Sequence, residues 1–321
     1  MSLVLLTSAS GAPGVTTTTL GLACTWVRPA IAIEADPVGG SAILAGHFRG
    51  FQAPTLSTAD LVLAHRAGRL AEQFAAALLP VDVRTPERRA RRSGEPPRGP
   101  GAAKAAPGGG SGDPGTSGSE VRRPGRGETG GRTAGEAPAV AVLPGPRSHP
   151  QARSALELWE PLSFVWRTLD REVEGTDDDP GTPGTDVFID AGRLGMEWYA
   201  ESLLDRADLI LLVTRSDLPS LAAARPWAER AVETHRLHPE TPAWAVALVG
   251  PDHPYNVREV AHVLGLPVLL TLPLDPRGAA AYSQGLRTKP RRPLDRALRH
   301  GGTAIREQLA ATRKVLHHVQ S

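Results

Sequence analysis

The stretch LVLLTSASGAPGVTTTTLGLACTW, Leu3 to Trp26, decides the fold. It opens with four consecutive apolar residues, passes through a glycine- and proline-containing turn, and resumes as a threonine-rich run. A short continuous apolar run reads as a strand buried on both faces, and a small-residue turn followed by threonines reads as the start of a helix. Strand, glycine turn and helix in that order form a cradle in which backbone N–H groups and a helix N-terminus converge on one point. In a Walker A loop such a cradle carries a lysine for the terminal phosphates and a Ser or Thr hydroxyl for Mg²⁺. Here Gly11, Ala12, Pro13, Gly14, Val15, Thr16 and Thr17 supply the backbone and the hydroxyls. Val15 stands in the lysine position, and Pro13 has no N–H to offer.

Downstream, the pattern of the first strand recurs. Leu3–Thr7, Ala30–Glu34, Val140–Leu143, Val187–Asp190, Leu209–Thr214, Trp244–Val249 and Val268–Leu272 are short runs rich in Val, Ile and Leu. Amphipathic stretches separate them: Thr17–Val27, Thr58–Leu79, Gln151–Glu172, Glu197–Arg206, Leu218–Arg236 and Val257–Leu264. This alternation predicts an α/β domain, a doubly wound, mostly parallel sheet of about seven strands flanked by helices, with ligands outside the carboxyl ends of the strands.

One segment departs from the pattern. Between Ser93 and Gly135, 20 of 43 residues are Gly or Pro, which predicts a disordered insertion. The chain divides into 1–83, an insertion at 84–138, and 139–321 as the remainder of the same domain. The 321 residues carry a net charge of +2, whereas Arg84 to Ala139 alone carries +5, so the rest is about −3. The basic character belongs to the insertion and suits a solvated tether, with weak contact to DNA or anionic lipid as the alternative.

The single cysteine, Cys24, rules out an internal disulfide framework and points to a reducing, cytoplasmic compartment. The apolar start is too short for a signal or transmembrane segment. The ten histidines show no metal-ligand spacing. Ser8 and Ser10 lack the setting of a nucleophilic serine.

Two further segments supply carboxylates. IAIEADPVGGS (Ile31–Ser41) places Glu34 and Asp36 at a strand tip before two glycines, and DVFIDAGRLG (Asp186–Gly195) places Asp190 at another. Hard cations take oxygen ligands, so acids at strand tips beside a phosphate loop suit Mg²⁺ and an attacking water. Capping of helices or loops is the alternative for each acid taken singly.

With these segments in hand, the chain resembles the MinD/ParA family of P-loop proteins, the SIMIBI class with a deviant Walker A loop. SGAPGVTT (Ser10–Thr17) stands for that family's K-G-G-x-G-K-T-T, EADPVGGS for its D-x-D-P-x-G, and VFIDAGRLG for its strand ending in D-x-x-P/G. DRADLILLVTRSDLPSLAAA (Asp205–Ala224) and GLPVLLTLPLDPRGAAAYSQG (Gly265–Gly285) also match, so the likeness spans the chain apart from the insertion. Together with LPGPRSHPQARSALELWEPL (Leu143–Leu162), the loop and acid segments are similar to an actinobacterial MinD-like subgroup near the TadZ/CpaE pilus-localisation branch.

The resemblance implies ATP or ADP on Gly11–Thr17, and Mg²⁺ held by Thr16, Asp36 and Asp190, with Asp36 also orienting water for any hydrolysis. It implies a homodimer and a protein partner such as a secretion or pilus motor or a division component, acting in the cytoplasm or at the inner face of the membrane. Both family lysines are absent, at Ser10 and Val15, and the chain's three lysines (Lys104, Lys289, Lys314) lie far from the loop in sequence. Arg193, three residues past Asp190, is the substitute cation best placed by sequence, with a solvent-facing loop arginine as the alternative. Charge-assisted contacts to phosphate are about twice as strong as neutral ones, so their loss predicts weak or absent hydrolysis. The expectation is a nucleotide-dependent spatial organiser that is at most a poor ATPase, or a nucleotide-independent pseudo-ATPase adaptor of the same fold. The missing lysines argue against a synthetase-type enzyme.

At the C-terminus, Ile305, Leu309, Thr312, Leu316 and Val319 line one face of a helix. Its narrow apolar face predicts packing on the domain; membrane binding is what the resemblance implies.

Overall fold

Both faces of the first strand are buried, and the sheet is built outward from it. A computed structural model describes residues 1–11, 13–81, 140–171, 184–251, 254–287 and 292–320, of which 168–171 and 314–320 in backbone only. The predicted insertion at 84–138 and Ala12 lie outside the described residues. The strands are β1 (Leu3–Ser8), β2 (Ala30–Glu34), β3 (Leu79–Pro80), β4 (Val140–Leu143), β5 (Asp186–Arg193), β6 (Leu209–Arg215), β7 (Ala243–Val249) and β8 (Val268–Leu272). They form one sheet in the order β3-β4-β2-β5-β1-β6-β7-β8. Every pairing is parallel except that of β3 with β4.

The helices are α1 (Val15–Thr25), α2 (Thr58–Arg66), α3 (Leu70–Phe74), α4 (His149–Arg171), α5 (Glu201–Arg206), α6 (Leu218–Leu237), α7 (Val257–Leu264), α8 (Pro276–Ser283) and α9 (Pro293–Gln320). Alternate residues of β1 enter different cores. Leu3 and Leu5 join Leu61, Leu158, Trp159, Leu203 and Val260, from α2, α4, α5 and α7. Val4 and Leu6 join Leu20, Leu22, Leu298 and Ile305, from α1 and α9. A strand buried on both sides by helical layers needs unbroken apolar sequence, which accounts for LVLL.

All seven anticipated strands are present. The eighth, β3, replaces the end of the helix anticipated over Thr58–Leu79. That stretch breaks at Gly68, whose φ of 68° no continuing helix allows, and restarts as α3. The chain then extends along β4, where Pro80 sits exposed on the sheet edge and needs no donor. The helix anticipated from Glu197 begins only at Glu201, because Trp198 takes a φ of 61°. A π-helical turn over Ile43–His47, without a sequence signal, follows β2. In α9, Leu294, Leu298, Ile305 and Leu309 are buried against the domain and Thr312 is half-buried. Leu316 and Val319 lie outside the described side chains. No helix among the described residues is long and apolar enough to cross a membrane.

Candidate functional site

The loop from Ala9 to Gly14 leaves β1 at the centre of the sheet, where the strand order reverses between β5 and β6. Gly14 ends it with φ 99° and ψ 32°, a left-handed conformation that favours glycine, and serves as N-cap of α1. The N-cap makes no side-chain cap bond and the first turn holds no acid, so the positive end of this helix is not offset by a capping side chain. Gly11 is exposed and Ser10 half-buried. Pro13 is buried and contributes no donor. Val15, at the lysine position, is 7% exposed and belongs to the apolar cluster with Leu6 and Leu20. Thr16 and Thr17 remain half-exposed at the helix start.

The acids converge from two other strands. Asp190 on β5 is completely buried beside β1, in register with Leu6 on one side and Glu34 on the other. Its Oδ1 accepts the Gly192 N–H at 2.9 Å. Its Oδ2 is buried without a hydrogen bond of full geometry, although the Thr16 hydroxyl lies near enough to favour the ionised form. Burial, reinforced by the negative charges of Asp36 and Glu34, pushes the Asp190 carboxyl up to about 7. Asp36 is half-buried and its Oδ1 accepts the Val38 N–H at 2.9 Å, closing a tight turn. Among the described residues no ion pair engages Asp36 or Asp190.

Gly192 joins these two acids. Its φ is 67°, its N–H holds Asp190, and a Cβ at this position would lie 2.5 Å from the Asp36 carboxyl carbon. The Thr7 hydroxyl donates to the Gly192 carbonyl at 3.1 Å and accepts the Tyr199 phenol at 3.0 Å. Neither Thr7 nor Tyr199 carried a signal in the sequence, since their partnership spans 192 positions. The glycine of IDAGRLG was visible, though its reason was not.

Glu34 has a different place. It is 2% exposed and accepts from the Ser41 hydroxyl at 2.5 Å, the Ile43 N–H at 3.2 Å and the Gly145 N–H at 2.9 Å. It clamps the loops after β2 and β4, which is the capping alternative for this acid. Burial raises its pKa and these three donors lower it. Arg193 lies in register with Ser8, but is exposed and donates to the Met196 sulfur at 3.0 Å.

The donor set can be tested against Mg²⁺ and phosphate. A buried carboxylate oxygen with no settled donor, a hydroxyl beside it and a second acid across Gly192 suit a hard cation. Among the described residues no three carboxylate, imidazole or thiol groups form a complete cage. Mg²⁺ takes one or two carboxylates and completes its shell with water and substrate phosphate. The uncapped start of α1 suits the phosphate.

No family model matches the sequence, and no curated protein matches it. Solved structures do match. The septum site-determining protein MinD of Pyrococcus horikoshii, complexed with Mg-ADP, superposes with a TM-score of 0.57 at 16% identity, over 97% of this chain and 98% of that one. The MinC:MinD cell division complex of Aquifex aeolicus gives 0.57 at 12% identity, over 96% of each chain. A ParA family ATPase from Chlorobium tepidum gives 0.57 at 12%, over 94% of this chain and 97% of that one. The described residues have the fold of the MinD/ParA P-loop ATPases.

Proposed function

We propose that this chain is a MinD/ParA-like protein that binds ATP or ADP with Mg²⁺, turns it over weakly or not at all, and acts as a spatial organiser in partitioning, septum-site or secretion and pilus localisation. The observation that carries the proposal is the meeting of an uncapped helix start at Gly14 with two acids, Asp36 and Asp190, held on either side of Gly192. Gly11, Gly14, Thr16 and Thr17 would receive the phosphates. Thr16, Asp36 and Asp190 would hold the metal, whose chemistry is to neutralise phosphate charge and polarise the transferring group. Asp36, the more accessible acid, would orient a water. The Mg-ADP in the P. horikoshii MinD and the MinC bound to the A. aeolicus MinD support a nucleotide ligand and a protein partner for the present chain, and the homodimer follows from the family resemblance.

Turnover is weak in this proposal because no cation reaches the phosphates from Ser10 or Val15. Positioned charge of this kind is worth several kcal/mol of barrier in phosphoryl transfer, or orders of magnitude in rate. A second reading, a nucleotide-independent adaptor, draws on the burial of Val15 in the apolar cluster and on Pro13, which together remove a cation and a donor. Calorimetric titration with ATP and ADP, with and without Mg²⁺, beside a phosphate-release assay separates the two. Heat with Mg-nucleotide and little phosphate release supports the proposal. Absence of heat at millimolar nucleotide leaves the adaptor, and turnover at an ordinary rate that disappears in Asp36→Ala contradicts the weak-hydrolysis claim.

A further inference from the structure

We infer that Tyr199 and Thr7 are positioning residues for the acid pair, acting through the backbone of Gly192. This rests on the reading of the site as a metal–nucleotide site. Gly192 meets two opposed demands. The approach of the Asp36 carboxyl leaves no room for a Cβ, since one would lie 2.5 Å from its carbon and 2.6 Å from Oδ1. Yet glycine is the residue with the widest backbone freedom, and here it sets the spacing of two metal-directed acids. A glycine in that position needs an external tether.

The tether runs through three elements. Tyr199, just before α5, donates its phenol hydrogen to Thr7 Oγ1 at 3.0 Å, and Thr7, in β1, donates its own to the Gly192 carbonyl at 3.1 Å. On the other side of the same Cα, the Gly192 N–H holds Asp190 at 2.9 Å. A hydroxyl has one hydrogen, so the phenol entering a Thr7 lone pair leaves that hydrogen for Gly192. Thr7 is fully buried and Tyr199 is 7% exposed, so water does not compete for these bonds. Burial also holds the phenol above its ordinary pKa, keeping it a donor. Both peptide units flanking Gly192 are thereby fixed, and with them Asp190 and the Cα against which the Asp36 carboxyl packs.

The test uses the full chain and reads the Mg²⁺ concentration at half-maximal ATP binding, by calorimetry at fixed ATP, together with the melting temperature without ligand. Thr7→Ser keeps the hydroxyl and should stay within about twofold of the parent. Tyr199→Phe removes one bond and should raise the Mg²⁺ midpoint roughly fivefold, and Thr7→Val, which cuts both, tenfold or more. A purely structural buttress would lower the melting temperatures and leave the midpoint unmoved, and that result overturns the inference. Should Thr7→Val fail to fold, an unmoved midpoint in Tyr199→Phe overturns it equally. A parent chain that binds no Mg-ATP overturns the nucleotide reading and this inference together, whereas a parent that binds while the variants match it overturns the inference alone.

Discussion

Val15 shows how one substitution redirects a phosphate loop. In place of a charge it presents an apolar side chain, 7% exposed, to the cluster that also holds Leu6 and Leu20. Its contribution is packing, so Val15→Ala should lower stability by about 1–3 kcal/mol in a denaturant titration while leaving Mg-ATP affinity within about twofold. A larger affinity loss would mean that the side chain acts on the ligand. Gly192 is the opposite case, a residue whose lack of a side chain makes room for the Asp36 carboxyl. Gly192→Ala meets both the left-handed φ of 67° and the Asp36 carboxyl. The backbone cost alone is roughly 1–2 kcal/mol, and the displaced acid should weaken Mg-dependent nucleotide binding at least tenfold by calorimetry. The loop glycines, the threonines and both acids were legible in the sequence because each follows an apolar strand directly. Val15 was legible as a missing charge, while its place in the core was not.

At the scale of elements, the two ends of the parallel sheet differ. The carboxyl end carries the loop after β1 with Asp36 and Asp190, and the amino end is closed by Asp186. That carboxylate is 1% exposed and accepts the Ser2 N–H, the Trp26 indole and the Arg28 guanidinium. It ties β1, the end of α1 and β5 together at their amino edge. Asp186→Ala leaves these donors without their acceptor and should cost about 2–4 kcal/mol in thermal or denaturant unfolding. Nucleotide affinity, set at the other end, should be unchanged. Asp186 carried no signal, since its partners lie 158 to 184 positions away. The seven parallel strands were legible because burial on two faces demands unbroken apolar runs. The eighth was hidden: Leu79 and Pro80 are two residues at the end of a helical pattern, made into a strand by pairing with β4. Gly68, which ends α2, was the one local sign that the helix had to break.

At the scale of the whole molecule, the two described strands that flank residues 82–139 lie side by side. The Val81 N–H donates to the Val140 carbonyl at 3.0 Å, so the described chain on either side of residues 82–139 meets at the amino edge, opposite the loop that follows β1. Replacing 84–138 with a short Gly/Ser connector therefore needs no rearrangement of β3 and β4, and shortening a loop lowers its closure entropy. The shortened chain should melt at or slightly above the parent temperature, followed by circular dichroism, with unchanged Mg-ATP affinity. A lowered melting temperature would mean that the insertion contributes to the core.

In the proposed site a metal would bring phosphate to carboxylate, and Asp190 is the fully buried acid that would meet it. Its pKa is raised from 3.8 to about 7, so the folded state holds a proton that the unfolded state releases, and its contribution to stability falls as pH rises between those values. Asp190→Asn removes that penalty and should raise the melting temperature of the ligand-free chain at pH 8. Mg-ATP binds the ionised acid in this account, so the parent should gain melting temperature with saturating Mg-ATP at pH 8 and Asp190→Asn should gain almost none. Equal Mg-ATP shifts in the two proteins, or no shift in the parent, would contradict the account.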